Sequence, residues 1–253
     1  MAAGYAVAVL ATPAGISGAV LLLPFQVRVL DVASLAATPT NLLYNVIATP
    51  GALYRYWRQK QAGGRLALVL IAGTLPGVIA GTVIRVELLP EPRVFNLMIA
   101  AVLIPLGAWL VLTQPTPPGQ PVRSARSILA PVLVLLAAGV GCVGGIYGVG
   151  GGALLAPILI GSGRPPSVVA PATLAATFVT SAAGVISFTI LAIHEPGAVA
   201  PDWPTGIALG IGGLAGGYTG ARLQSRLPDA VIRRLVGVLA VAVGVFFLWA
   251  GLT

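Results

Sequence analysis

Gly148-Val149-Gly150-Gly151-Gly152-Ala153-Leu154-Leu155-Ala156-Pro157 decides how this chain is read, because a weaker copy stands near its start, Gly15-Ile16-Ser17-Gly18-Ala19-Val20-Leu21-Leu22-Leu23-Pro24. The offset between Gly15 and Gly148 persists downstream, placing Thr40 on Thr173 and Gly51 on Gly184. Further on, Gly73, Gly77 and Gly81 match Gly212, Gly216 and Gly220, and Pro90 matches Pro228. A duplicated glycine-rich break inside apolar sequence is the mark of a transporter made of two related halves, whose discontinuous helices meet at a central site.

Composition sets the surroundings. Of the 253 residues, 57% are hydrophobic and only 8% are charged, and the mean hydropathy is +0.99. A soluble domain carries about a quarter charged residues. This chain cannot solvate a surface of its own, so it is read as an integral membrane protein. The net charge of +8 would suggest nucleic acid in a soluble chain. Here the basic residues gather at short connections, as the positive-inside rule expects, and they report orientation. No nucleic-acid partner is expected. A single cysteine, Cys142, excludes an intramolecular disulfide and a cysteine-rich metal site. With one histidine as well, neither a metal nor a cofactor is expected. Met1-Ala2-Ala3-Gly4 lacks a basic leader region, so no cleaved signal is expected.

Apolar segments run over 4–30, 33–54, 66–86, 94–113, 128–161, 167–193, 205–222 and 231–251. The proline-rich stretch from Gln114 to Pro121 reads as an extended linker. The division is therefore an N-terminal repeat over 1–113, a linker over 114–127 and a C-terminal repeat over 128–253. The glycine ladders, with a period of four, read as helix packing.

Charge then bears on topology. If all eight segments cross, the basic Arg55/Arg58/Lys60/Arg65 loop shares a side with the acidic Glu195/Asp202 loop, against the positive-inside rule. If the first segment of each half is instead re-entrant, each half crosses three times and the halves are inverted. The basic loops, Arg164 and the Arg123/Arg126 linker then become cytoplasmic. The Arg85/Glu87/Glu91/Arg93 and Glu195/Asp202 loops face outside with both termini. The fold class is thus an all-α polytopic membrane protein of two inverted repeats. Each repeat is a glycine-broken helix pair followed by three spanning helices.

An open glycine turn cannot face lipid, because its unpaired amides would cost several kcal/mol each. Buried instead, it lets backbone N–H groups and the following helix dipole approach an anion. Ser17 and Gly18 in the first copy, and Gly148, Gly150, Gly151 and Gly152 in the second, are the candidate binding backbone. Polar residues cluster in the next helix of each half: Thr38, Thr40, Asn41, Tyr44 and Asn45, then Thr173, Thr177, Thr180 and Ser181. Thr173, Thr177 and Ser181 share one helical face. Hydroxyl stripes often bond only backbone, whereas Asn41 and Asn45 are costly to leave unpaired in lipid. Asn41, Asn45, Thr173 and Thr177 complete the candidate site. No ionisable group falls securely mid-membrane, so no coupling carboxylate is expected. That suits an anion leaving the cell, since each negative charge gains about 2.3 kcal/mol per 100 mV of inside-negative potential. Cys142 reads as a small hydrophobe, or as a thiol beside a sulfur-containing ligand.

At these motifs the chain resembles the sulfite exporter TauE/SafE family of membrane proteins. The resemblance rests on Gly148–Pro157, the copy at Gly15–Pro24 and Ala172-Thr173-Leu174-Ala175-Ala176-Thr177. It implies export of sulfite, a sulfonate or a related small anion across the inner cell membrane. The partners it implies are that anion and the bilayer; a homodimer is compatible with it. Ser17 and Ala19, where the stronger copy has glycines, put equal use of the halves in question. Two other classes compete. Gly15-Ile16-Ser17-Gly18 fits the Gly-x-Ser-Gly pattern of rhomboid-type intramembrane proteases, with His194 as base. Against this, Gly150 replaces the serine in the stronger copy. The other alternative is a non-transporting membrane subunit of a larger complex.

Overall fold

A computed structural model describes residues 1–30, 32, 34–61, 64–87, 93–112, 130–194 and 199–252. The expected linker, Glu91, Glu195, Arg123 and Arg126 lie outside the described residues. Every regular element among the described residues is helical. They are α1 (Ala2–Ala11), α2 (Ala19–Arg28), α3 (Ser34–Arg58), α4 (Gly64–Glu87), α5 (Arg93–Leu112), α6 (Ala130–Tyr147), α7 (Leu155–Gly161), α8 (Pro166–His194), α9 (Trp203–Gln224) and α10 (Asp229–Leu252), with one 3₁₀ turn, Thr12–Ala14, after α1.

The two glycine-rich stretches stop helices in the same way. Gly15 and Gly148 take φ of 71° and 69°, the left-handed region that side chains avoid. One residue later the amide reaches back five positions, Ile16 N–H to Ala11 O at 3.2 Å and Val149 N–H to Gly144 O at 3.1 Å. That bond is the signature of a glycine-stopped helix end. The chain then restarts as the short helices α2 and α7.

Contacts between helices exchange across the chain. α1 lies on α9 as α6 lies on α4, α3 meets α9 as α8 meets α4, and α3 packs on α8 as α5 does on α10. The glycine ladders make the closest approaches. A Cβ at Gly77 or Gly81 would fall 2.1 Å from the carbonyl oxygen of Ala138 or Cys142 on α6. At Gly212 and Gly216 it would fall 2.0 and 2.3 Å from those of Met1 and Tyr5. The ladders are packing surfaces, one per half. Cys142 is half-buried, with its backbone against Gly77 and Gly81.

These contacts fix relative directions. Leu43 lies by Gly206, Ile47 by Gly210 and Gly51 by Leu214, so α3 and α9 run parallel. Leu42 meets Gly184 while Asn45 reaches Ser181, so α3 and α8 are antiparallel. Ile104 lies by Gly244 and Arg93 Nε donates to Gly251 O at 3.0 Å, so α5 and α10 are antiparallel as well.

Among the described residues, three helices are long and apolar enough to cross a membrane: Gly64–Glu87, Pro166–Ile193 and Asp229–Trp249. α3, α9 and α5 have 25, 22 and 20 residues, enough for a core of about 30 Å at 1.5 Å per residue. Large apolar side chains point outward, among them Ile186, Ile190, Ile193, Val238 and Val245. That outer surface suits lipid, while polar side chains such as Asn41, Asn45, Thr173 and Ser181 are buried inside.

Candidate substrate site

The two breaks converge on α8. Thr173 Oγ1 donates to Gly15 O at 2.8 Å, from the first break. Its own carbonyl packs against the second, where a Cβ at Gly152 would lie 1.9 Å from Thr173 O. One residue thus touches both turns, and only glycine fits the second contact. Gly150, with φ of 74°, lies over Thr177, Ser181 and Asn45. Gly151 N–H donates to Thr180 Oγ1 at 3.0 Å.

A line of side chains joins the breaks. Ala19 N–H donates to Ser17 Oγ at 3.1 Å, the Ser17 hydroxyl donates to Asn45 Oδ1, and Asn45 Nδ2 donates to Ser181 Oγ at 3.2 Å. On the other side of Ala19, its carbonyl accepts from Asn41 Nδ2 at 3.1 Å. Asn41 Oδ1 accepts from Gln26 Nε2 at 2.7 Å. Gln26, Ser17, Asn41, Asn45 and Ser181 are all buried. Asn41 and Asn45 are bonded through both amide atoms, as burial requires, while Gln26 Oε1 has no hydrogen-bond partner. The amides brace the start of α2 against α3 and α8. A cavity of about 10 Å³ adjoins Ser17, Gly18, Tyr44, Asn45 and Thr49, room for about one water. The centre is closed in this conformation.

Of the residues expected from sequence, Ser17, Asn45, Gly150, Gly151, Gly152, Thr173 and Thr177 gather at this centre. Gly18 borders the same small cavity as Ser17 and Asn45, against the Tyr44 hydroxyl. Two lie apart: Gly148 packs on the backbone of Thr38, and Asn41 is taken up by α2. Gln26 escaped notice because its partner lies on another helix, and one amide in an apolar run gives no periodic signal. At the positions 133 residues on from Gln26, Asn41, Ser17 and Asn45 stand Leu159, Leu174, Gly150 and Phe178. Ser17, Gln26, Asn41 and Asn45 therefore have no polar counterparts at that offset, and their line reaches α8 only at Ser181.

Arg85 corrects the sequence reading, which placed it in a loop. It lies inside α4, is 5% exposed and interacts electrostatically with Tyr147, the last residue of α6 before the break. Its counterpart on α9 is Gln224, also buried, whose Nε2 donates to Pro13 O at 2.8 Å, before the first break. The charge run 85–93 looked like a loop because the preceding stretch was already long enough to span. Ser17 and His194 are far apart, with about 20 Å of α8 between Ser181 and His194 at 1.5 Å per residue.

Broken helices converging on a buried polar centre within an apolar bundle define a multi-pass membrane transporter. The sulfite exporter TauE/SafE family matches residues 1–247, and the chain belongs to that family. It is similar to a "Probable membrane transporter protein" of Xylella fastidiosa (strain 9a5c), 24% identical over 220 residues, covering 85% of this chain and 78% of the relative. It is also similar to "Probable membrane transporter protein YunE" of Bacillus subtilis (strain 168), 24% identical over 239 residues, covering 88% and 84%. No solved structure matches.

Proposed function

We propose that the protein exports a small sulfur-containing anion, sulfite or an organosulfonate, across the inner cell membrane. The anion passes between the two helix breaks. The observation that carries this reading is the contact of both breaks with Thr173, joined by the buried Ser17–Asn45–Ser181 line. No acid is among the buried side chains of the described residues, so the centre suits an anion. The substrate rests on the family and on that charge balance. Gly148, Gly18 and Asn41 serve the site by shaping the turns around it.

The topology proposed is six spans plus two re-entrant pairs, arranged as inverted repeats over 1–113 and 128–253. In eight alternating spans α3 and α9 would be antiparallel, α3 and α8 parallel, and α5 and α10 parallel. The directions are the reverse in all three pairs. Equivalent helices that run antiparallel support inversion.

The test is flux through purified protein in liposomes against a panel of sulfite, methanesulfonate, sulfoacetate, sulfate and chloride. Saturable movement of sulfite or a sulfonate is expected. Movement of none of the sulfur anions would refute the substrate.

A further inference from the structure

We infer that the anion is held by the hydroxyls of Thr177 and Ser181, while Ser17 and Asn45 are positioning residues that aim the Ser181 proton; this rests on the anion-transport reading above. The hydrogen bonds have a direction. Ala19 N–H donates to Ser17, the Ser17 hydroxyl donates to Asn45 Oδ1, and the amide so turned donates from Nδ2 to Ser181 Oγ. A hydroxyl that accepts still has one proton to give. The line that starts at a backbone amide therefore ends in a donor on α8.

One helical turn earlier stands a second donor. Thr177 Oγ1 is fully buried and has no hydrogen-bond partner. Threonines inside helices ordinarily donate to the carbonyl four residues back, and Thr40, Thr49, Thr74 and Thr180 do so at 2.6–2.7 Å. Thr177 does not, and it lies instead by Gly152, where a Cβ would be 2.7 Å from Oγ1. A Cβ at Gly150 would be 2.9 Å from Ser181 Oγ. The glycine turn thus lies directly on both hydroxyls, and the anion reaches them as the turn withdraws. Residues four apart on a helix hold their Cβ atoms about 5–6 Å apart, a gap that one anion with several oxygens bridges. Two hydroxyl protons with no acid beside them among the described residues suit an oxyanion better than an ammonium cation. At the corresponding positions of the first half stand Tyr44 and Ala48, so this pair of hydroxyls is not repeated there.

The experiment measures saturable sulfite flux in liposomes, with methylammonium as the cation control. Thr177→Val and Ser181→Ala are each expected to raise the half-saturating sulfite concentration about tenfold, equivalent to ~1.4 kcal/mol of binding. Thr177→Ser and Ser181→Thr, which keep the hydroxyls, are expected to restore it. Ser17→Ala should raise it too, and combining Ser17→Ala with Ser181→Ala should add little, since both act through one proton. Additive effects would make Ser17 a direct ligand and overturn its positioning role. Should Thr177→Val fail to fold, Thr177→Ala removes the same hydroxyl with less bulk, and Ser181→Ala decides alone if neither folds. Unchanged half-saturation in folded variants, with normal wild-type flux, overturns the inference and leaves the transport reading standing. Wild-type protein that moves no sulfur anion overturns the reading beneath it.

Discussion

Gly152 bears most directly on how the site is built, because it is excluded from becoming any other residue by a backbone atom and not by a side chain that could move. Gly152→Ala would place a methyl 1.9 Å from Thr173 O, so loss of the folded state or a large fall in melting temperature is expected. Gly64 is the contrast. It has φ of 51° but nothing within 4 Å of its would-be Cβ, so Gly64→Ala should cost only the left-handed backbone penalty of about 1–2 kcal/mol. Thermal unfolding of both variants in detergent measures the difference, and equal effects would show that the turn is not tightly packed. Thr173→Val keeps the shape but leaves Gly15 O without its donor, at a cost of about 1–3 kcal/mol for a buried carbonyl. Its transport should fall with its stability. Arg85 and Gln224 form an unequal pair, one charged and one neutral, beside the two breaks. Arg85→Gln is expected to fold and to lose anion flux, because a buried guanidinium near the path favours negative charge. Normal flux in that variant would assign Arg85 to packing alone.

At the scale of helices, the breaks and the ladders were legible because each occurs twice. The copy at Gly15 made the stronger run at Gly148 more than a kink, and both stop helices by the same five-residue return bond. The ladders read as packing, and Gly77, Gly81, Gly212 and Gly216 all sit against a backbone carbonyl. What stayed illegible depends on partners distant in sequence. Asn41 and Asn45 look alike, yet one braces α2 through Gln26 and the other joins the two halves through Ser181. Thr177 and Thr180 also look alike, and only the fold leaves the Thr177 hydroxyl unpartnered. Replacing Gly81 or Gly216 by leucine should separate α4 from α6 or α9 from α1 to similar effect. Comparable destabilisation of the two variants in detergent is expected, and tolerance of either would deny that packing equivalence.

For the whole molecule, the helix directions make topology testable without a structure. In a chain whose Cys142 is replaced by alanine, cysteines introduced at Arg58 and Arg226 should label from one side of the membrane. A cysteine at Pro201 should label from the other. Arg58 and Pro201 labelling together would restore eight spans. We propose that the anion crosses between the two breaks, driven by the membrane potential and without a coupling ion, as the lack of a buried acid among the described residues suggests. Liposomes loaded with sulfite, with potassium and valinomycin setting the potential and no proton or sodium gradient, test it most directly. Sulfite efflux that grows with an inside-negative potential, and is absent in Gly150→Val, is the predicted result. Efflux that ignores the potential, or that appears only when a proton or sodium gradient is imposed, would contradict the account.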